Sequence, residues 1–203
     1  RLSTSGTLDL ISPDEFSLAP WVRFNLTEFE IPPKGKRVIR YAIMPPKDLT
    51  DGEYWGAIEF EPLKGRVERY DDGDGRTYDI TFITTALAPI FGTKGGLSHR
   101  VEFEEAAIEI RQDKPTLRVS LVNKGLARVH FEGSFRLIDR EGRQLEEGEL
   151  TKVSVVMLRD GRRTVLTPLA TAVESGEYVV ELSLRVEEMP DPLVVEQVIA
   201  LKR

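Results

Sequence analysis

Cysteine is absent from the 203-residue chain. Disulfides and thiolate metal sites are therefore excluded, although the compartment stays open, because many envelope proteins also avoid cysteine. Histidine is scarce: only His99 and His130 occur, and neither lies in a Ser/His/Asp or His-x-x-His setting, so a triad or a zinc site lacks its partners. No apolar run approaches the roughly 20 residues that cross a bilayer. The N-terminus has neither a charged n-region nor an apolar h-region, and no initiator Met, which leads us to expect that further residues precede Arg1. A basic excess is missing too, with 28 Lys and Arg against 34 Asp and Glu and a net charge of −6. With a pI near 5.2 and interspersed signs, no positive field exists to hold a phosphate backbone, so nucleic acid is excluded from the expected partners.

What is present is period two. A hydrophobic content of 40% over 203 residues fills two cores of sandwich size. Ile39, Tyr41 and Ile43 alternate with polar neighbours. Tyr54, Ile58 and Phe60 oppose Glu53, Trp55 and Glu59, and Tyr78, Ile80 and Phe82 alternate with Thr77, Asp79 and Thr81. Farther on, Leu117, Val119 and Leu121, then Val129, Phe131, Phe135 and Leu137, then Tyr178 to Val186 repeat the pattern. One face of each strand is expected to be buried and the other to meet water. Turn formers separate the runs at Pro32-Pro33-Lys34-Gly35, Asp71 to Gly75, Asn123-Lys124-Gly125, Glu141-Gly142 and Asp160-Gly161. No amphipathic helix of three turns stands out, so the expected class is all-β. The glycine-rich break from Gly92 to Ser98 reads as a hinge between domains 1–96 and 97–203.

Asp51-Gly52-Glu53-Tyr54 and Ser175-Gly176-Glu177-Tyr178 open an alternating run in each half. In immunoglobulin-like sandwiches a Tyr at the E–F corner folds its hydroxyl back onto the chain. Tyr54 and Tyr178, with Gly52 and Gly176 two residues before them, fit that role.

Leu18-Ala19-Pro20-Trp21-Val22-Arg23-Phe24, then Phe29 to Gly35, Tyr41 to Pro46 and Asp51 to Trp55 together resemble the first domain of PapD-like bacterial periplasmic chaperones. Val119 to Gly125, with Gly133 and Asp139 to Gly142, is similar to the second immunoglobulin-like domain of related envelope proteins. The resemblance covers residues 18 to about 187. It implies two tandem immunoglobulin-like β-sandwiches, and a periplasmic, secreted or cell-surface location. The first domain departs from the pattern: only Leu8-Asp9-Leu10-Ile11 precedes Trp21 as a candidate strand, where about three are expected, so opening strands from upstream or from another chain are anticipated. On the match of Leu87 to Phe91 with the last strand of that domain, the family's client-gripping Lys falls on Ala88. Pro89 removes a donor from an edge that would zip with a client.

The expected function is non-catalytic envelope binding or scaffolding, contacting extended polypeptide or an envelope assembly through sheet edges and the interdomain groove. The alternative is a fimbrial-type assembly chaperone using donor-strand complementation. An enzyme lacks a nucleophile–base pair, a metal cluster and a cofactor loop; no cofactor and no small-molecule substrate are expected, and strand exchange or a homo-oligomer is allowed for. Trp55, on the face opposite Tyr54 beside Glu53 and Glu59, reads more plainly as an indole covered by a loop or by the second domain; otherwise, with Arg40 or Tyr41 nearby and with Leu87 and Ile90 on the closing strand, it is the candidate contact patch. Asp71, Asp72 and Asp74 form an oxygen-rich loop that could attract Ca²⁺ but departs from the EF-hand spacing. It reads better as a solvated hairpin tip, as Glu102, Glu104 and Glu105 read as a hydrated strand edge.

Overall fold

The computed structural model describes residues 13–201, so the candidate strand Leu8 to Ile11 lies outside the described residues. Apart from a short 3₁₀ turn, Ala19–Trp21, the regular structure is all strand. In chain order the strands are β1 (Val22–Phe24), β2 (Tyr41–Ile43), β3 (Gly52–Phe60), β4 (Arg66–Asp71), β5 (Thr77–Phe82), β6 (Ala86–Lys94) and β7 (Val101–Arg111). They continue as β8 (Lys114–Asn123), β9 (Val129–Ile138), β10 (Gln144–Glu149), β11 (Val155–Met157), β12 (Arg162–Pro168), β13 (Gly176–Val186) and β14 (Leu193–Leu201). The chain divides into two compact units. A smaller one comprises Pro13–Leu49 and Tyr54–Gly92; a larger one contains Thr50–Glu53 and the chain from Thr93 onward. Against the 1–96 and 97–203 division, Thr50–Glu53 and residues 93–96 group with the larger unit. Gly92 to Lys94 belong to β6, so the irregular backbone of the expected hinge is confined to residues 95–100.

The larger unit is an antiparallel sandwich. One sheet runs β10-β9-β13-β14 with β11 also on β9, and the other runs β12-β8-β7. The alternating residues of β8, β9 and β13 meet between them: Leu117, Val119, Leu121, Val129, Phe131, Leu137, Val180 and Leu184 are wholly buried. In the β9–β13 register Phe131, Gly133, Phe135 and Leu137 stand opposite Val186, Leu184, Leu182 and Val180. Gly133 is where a side chain would not fit, since a Cβ there would come 2.6 Å from Leu184 Cδ2. The outer face of β7, β8 and β12 carries ion pairs. Glu104 meets Arg162 at 2.9 Å, and Glu105 pairs with Arg118, which corrects the reading of these carboxylates as merely hydrated.

Polar groups tie the loops. Asn123 is fully buried; its Nδ2 donates to the carbonyls of Ala127 (2.7 Å) and Met157 (3.2 Å), and its Oδ1 accepts from the Gly125 N–H at 2.8 Å. At the β9–β10 turn, Asp139 Oδ1 accepts from the N–H groups of Glu141 and Arg143, each at 2.9 Å, while Oδ2 accepts from Arg143 Nε at 2.7 Å. Burial pushes the Asp139 carboxyl up, yet these hydrogen bonds and the guanidinium outweigh it and hold the group below its ordinary range. The β7–β8 hairpin closes through Gln112 and Asp113, both at positive φ (49° and 61°), as a type I′ turn requires. Without a glycine to mark it, that turn is hard to see in the sequence.

The smaller unit has three two-stranded pieces among its described residues: β1-β2, β3-β6 and β4-β5. β1 and β2 register Val22 with Ile43 and Phe24 with Tyr41. Leu18 and Tyr54 are its buried apolar residues. The expectation of a buried face fails for β5: Tyr78, Ile80 and Phe82 remain exposed, Tyr78 by 50%. Among the described residues β4 and β5 form a ribbon with no second layer against it, and alternation buries a face only where another layer exists.

Two outcomes test this asymmetry. Leu182→Ala should destabilise the chain by about 2–5 kcal/mol, whereas Phe82→Ala should change stability by no more than about 0.5–1 kcal/mol, both read by denaturant unfolding. A depressed carboxyl pKa in the folded state adds stability above the unfolded value, near 3.9, and that stability is lost as the pH falls through the folded value. Asp139→Asn should therefore unfold earlier than wild type at pH 7, with the difference closing as the pH is lowered below about 4.

Candidate functional site

Within the smaller unit a groove of about 490 Å³ is lined by Phe29, Ile31, Tyr41, Ile58, Phe60 and Ile90, with Arg37 and Ala88. Strand geometry assembles it: Ile58 and Phe60 recur at period two on β3, Ala88 and Ile90 on β6, and Tyr41 comes from β2. Much of this apolar surface stays in water. Ile31 is 51% exposed and Tyr41 45%. Arg37 makes no ion pair with any of the described residues, so it stands as a lone cation beside an apolar wall.

Of the sequence candidates, Tyr41 and Ile90 meet at this groove, and Trp55, Arg40 and Leu87 are not part of its lining. Trp55 is half-buried. Its ring lies 5.4 Å from that of Phe16, its backbone N–H donates to Phe16 O at 3.0 Å, and its backbone carbonyl accepts from the Leu18 N–H at 2.8 Å. The Phe16–Leu18 segment of the same unit thus lies over the indole. Arg40 closes the β1–β2 ribbon, donating its N–H to Asn25 Oδ1 at 2.9 Å and accepting from the Asn25 N–H at 3.1 Å. Leu87 sits exposed on β6.

The two tyrosines differ. The Tyr178 hydroxyl donates to Glu174 O at 2.8 Å and accepts from Glu174 N–H at 3.0 Å, bonding back onto the chain four residues upstream. Tyr54 is buried in an aromatic cluster, 5.5 Å from the Trp21 ring and 6.5 Å from that of Phe16. Gly52 has φ +138°, and a Cβ there would lie 2.3 Å from Arg159 Nη1, so its backbone demands glycine. Gly176 carries no such demand. Glu53 departs from the expectation of a solvent-facing position: it is buried, its Oε2 accepts from the Arg128 N–H at 2.9 Å, and its Oε1 lies 3.2 Å from Arg128 Nη1. A loop that approaches after long sequence separation decides this, and alternation carries no trace of it.

In the acidic loop, Asp71 Oδ1 accepts from Gly73 N–H, and Asp72 Oδ1 accepts from Asp74 and Arg76 N–H. These are Asx-type turns that hold a hairpin tip. His99 lies in the irregular segment 95–100. His130, expected on an outward strand position, is half-buried on β9, with Nδ1 2.9 Å from Glu188 Oε1. Burial pushes the Glu188 carboxyl up, but hydrogen bonds from the His130 ring and backbone outweigh it and leave it below the ordinary range. The 58-residue separation hid this pair from the sequence reading.

No protein-family model and no curated protein matches the chain. Among solved structures, the chain is similar to the Pseudomonas fluorescens alkylpurine DNA glycosylase AlkC bound to DNA containing an abasic site analog. Identity is 9%, the TM-score is 0.31, and the match covers 50% of this chain and 30% of that one. The chain thus matches less than a third of the glycosylase's length. The exclusion of nucleic acid from the partners is withdrawn as a correction, because charge balance summed over a whole chain does not decide what a local surface contacts. A likeness this shallow establishes no partner of any class. No helix among the described residues is long and apolar enough to cross a membrane.

Removing the Tyr178 hydroxyl should show its role directly. Tyr178→Phe should lower stability by about 1–3 kcal/mol, the worth of two hydrogen bonds to backbone, measured by thermal unfolding.

Proposed function

We propose that this chain is a non-catalytic cell-envelope binding or scaffolding protein that contacts polypeptide through the open sheets of its smaller unit. The observation that carries the reading is the uneven burial of apolar side chains. The larger unit encloses its β8, β9 and β13 faces, while Phe24, Ile31, Tyr41, Met44, Tyr78 and Phe82 of the smaller unit stay in water. Ile31 and Tyr41 meet Ile58, Phe60 and Ile90 in one apolar groove, and apolar surface gathered in this way marks an interaction site. Short ribbons with unpaired edges offer backbone donors and acceptors to an added strand. Extended polypeptide suits such a surface, because its alternate side chains can enter the groove while its backbone pairs with an edge.

The resemblance to PapD-like envelope proteins supports a periplasmic setting and the binding role. Fimbrial-type chaperone action is less well supported. Ala88 lines the groove where that family's Lys would stand, and Pro89 lies within β6, where it removes one donor from the strand.

A fluorescently labelled peptide of alternating valine and threonine tests the contact face by anisotropy. Saturable binding to wild type is expected, weakened at least about tenfold, or 1.4 kcal/mol, by Ile58→Asp. Val194→Asp, on the exposed side of β14 in the larger unit, should leave it unchanged. Absence of saturable binding, or equal loss in both variants, would overturn the reading.

A further inference from the structure

We propose that His130, Glu187 and Glu188 of the larger unit form a binding site for a divalent transition-metal ion, with Zn²⁺ as its redox-inert representative. The inference is independent of the proposed contact face, which belongs to the smaller unit. One ligand atom from each of the three side chains lies within 4.8 Å of the others, and the three come from two places in the fold. His130 is on β9, while Glu187 and Glu188 begin the turn that leaves β13.

The backbone holds these two places together. Val186 registers with Phe131 at the end of the β9–β13 ladder. One step beyond, the Glu187 N–H donates to His130 O at 2.9 Å. The Glu188 carboxylate then takes the place of a further ladder acceptor: its Oε2 receives the His130 backbone N–H at 3.1 Å, which aims Oε1 at the imidazole, 2.9 Å from Nδ1. The Glu188 carboxylate is therefore positioned by a backbone hydrogen bond, and the His130 ring by its contact with that carboxylate. The third, Glu187, is exposed, and its carboxylate has no hydrogen bond or ion pair with any of the described residues.

An ion bound at about 2.0–2.2 Å from nitrogen and oxygen ligands requires those atoms to lie no more than about 4.2 Å apart. Closing the set takes a rotation of the Glu187 side chain, and an ion bound by both His130 Nδ1 and Glu188 Oε1 replaces the proton that now lies between them. One imidazole with two carboxylates suits Zn²⁺ and its transition-metal neighbours. Mg²⁺ and Ca²⁺ favour all-oxygen surroundings, and the half-exposed position leaves room for water to complete the coordination.

Calorimetric titration of the 203-residue chain with ZnCl₂ should show one saturable site. Glu187→Gln changes a side chain without a partner among the described residues, so the fold should be preserved, and affinity should fall by about tenfold or more. His130→Ala should remove the site, and His99→Ala should leave it intact. MgCl₂ should give no saturable binding at the same concentrations. The proposal is overturned if wild type takes up no zinc at millimolar concentration. It is equally overturned if uptake persists undiminished in both Glu187→Gln and His130→Ala, which would place the ion at His99 or at scattered carboxylates.

Discussion

Face-to-face burial of β8 against β9 and β13 is the constraint on which the larger unit rests. Those strands carry branched or aromatic side chains at alternate positions, interrupted in β9 by Gly133, and a single sheet would leave them in water. Two sheets remove them together, at roughly 1.5–3 kcal/mol for each large side chain fully enclosed. Gly133 leaves the space that the Leu184 side chain fills. Chain entropy opposes all of this, so the sandwich persists only because both layers are present.

The smaller unit shows the same patterning without the same outcome. Tyr78, Ile80 and Phe82 alternate as faithfully as Val180, Leu182 and Leu184, yet they are exposed because β4 and β5 have no layer of the described residues against them. Alternation specifies which side chains share a face. It does not supply what covers that face. The apolar groove between β2, β3 and β6 is the result, and it gives the proposed binding role its physical basis.

Buried polar groups set the details that patterning leaves free. Asn123 gathers carbonyls from separate loops, and Glu53 accepts from the Arg128 backbone. Tyr178 closes a loop on itself, and Glu188 finishes the β9 ladder where β13 turns away. Each satisfies a donor or acceptor that would be costly to bury alone. The Glu188 arrangement also brings the sole histidine of β9 beside two carboxylates, so a structural cap and a candidate metal site share one set of atoms.

The all-β class, most strand positions, the hairpin tip at Asp71 to Gly75 and the glycine at position 52 were legible in the sequence, because period two, turn chemistry and backbone sterics act over a few residues. The choice of Phe16 as the cover of Trp55, Glu53 buried, β5 left bare and His130 joined to Glu188 were not, because each depends on segments that meet only after folding. The sequence by itself determined which side chains share a face and where the chain can turn. Tertiary structure alone decided which faces are covered and which distant charges meet, since burial and pairing belong to the contact between elements and not to any one of them.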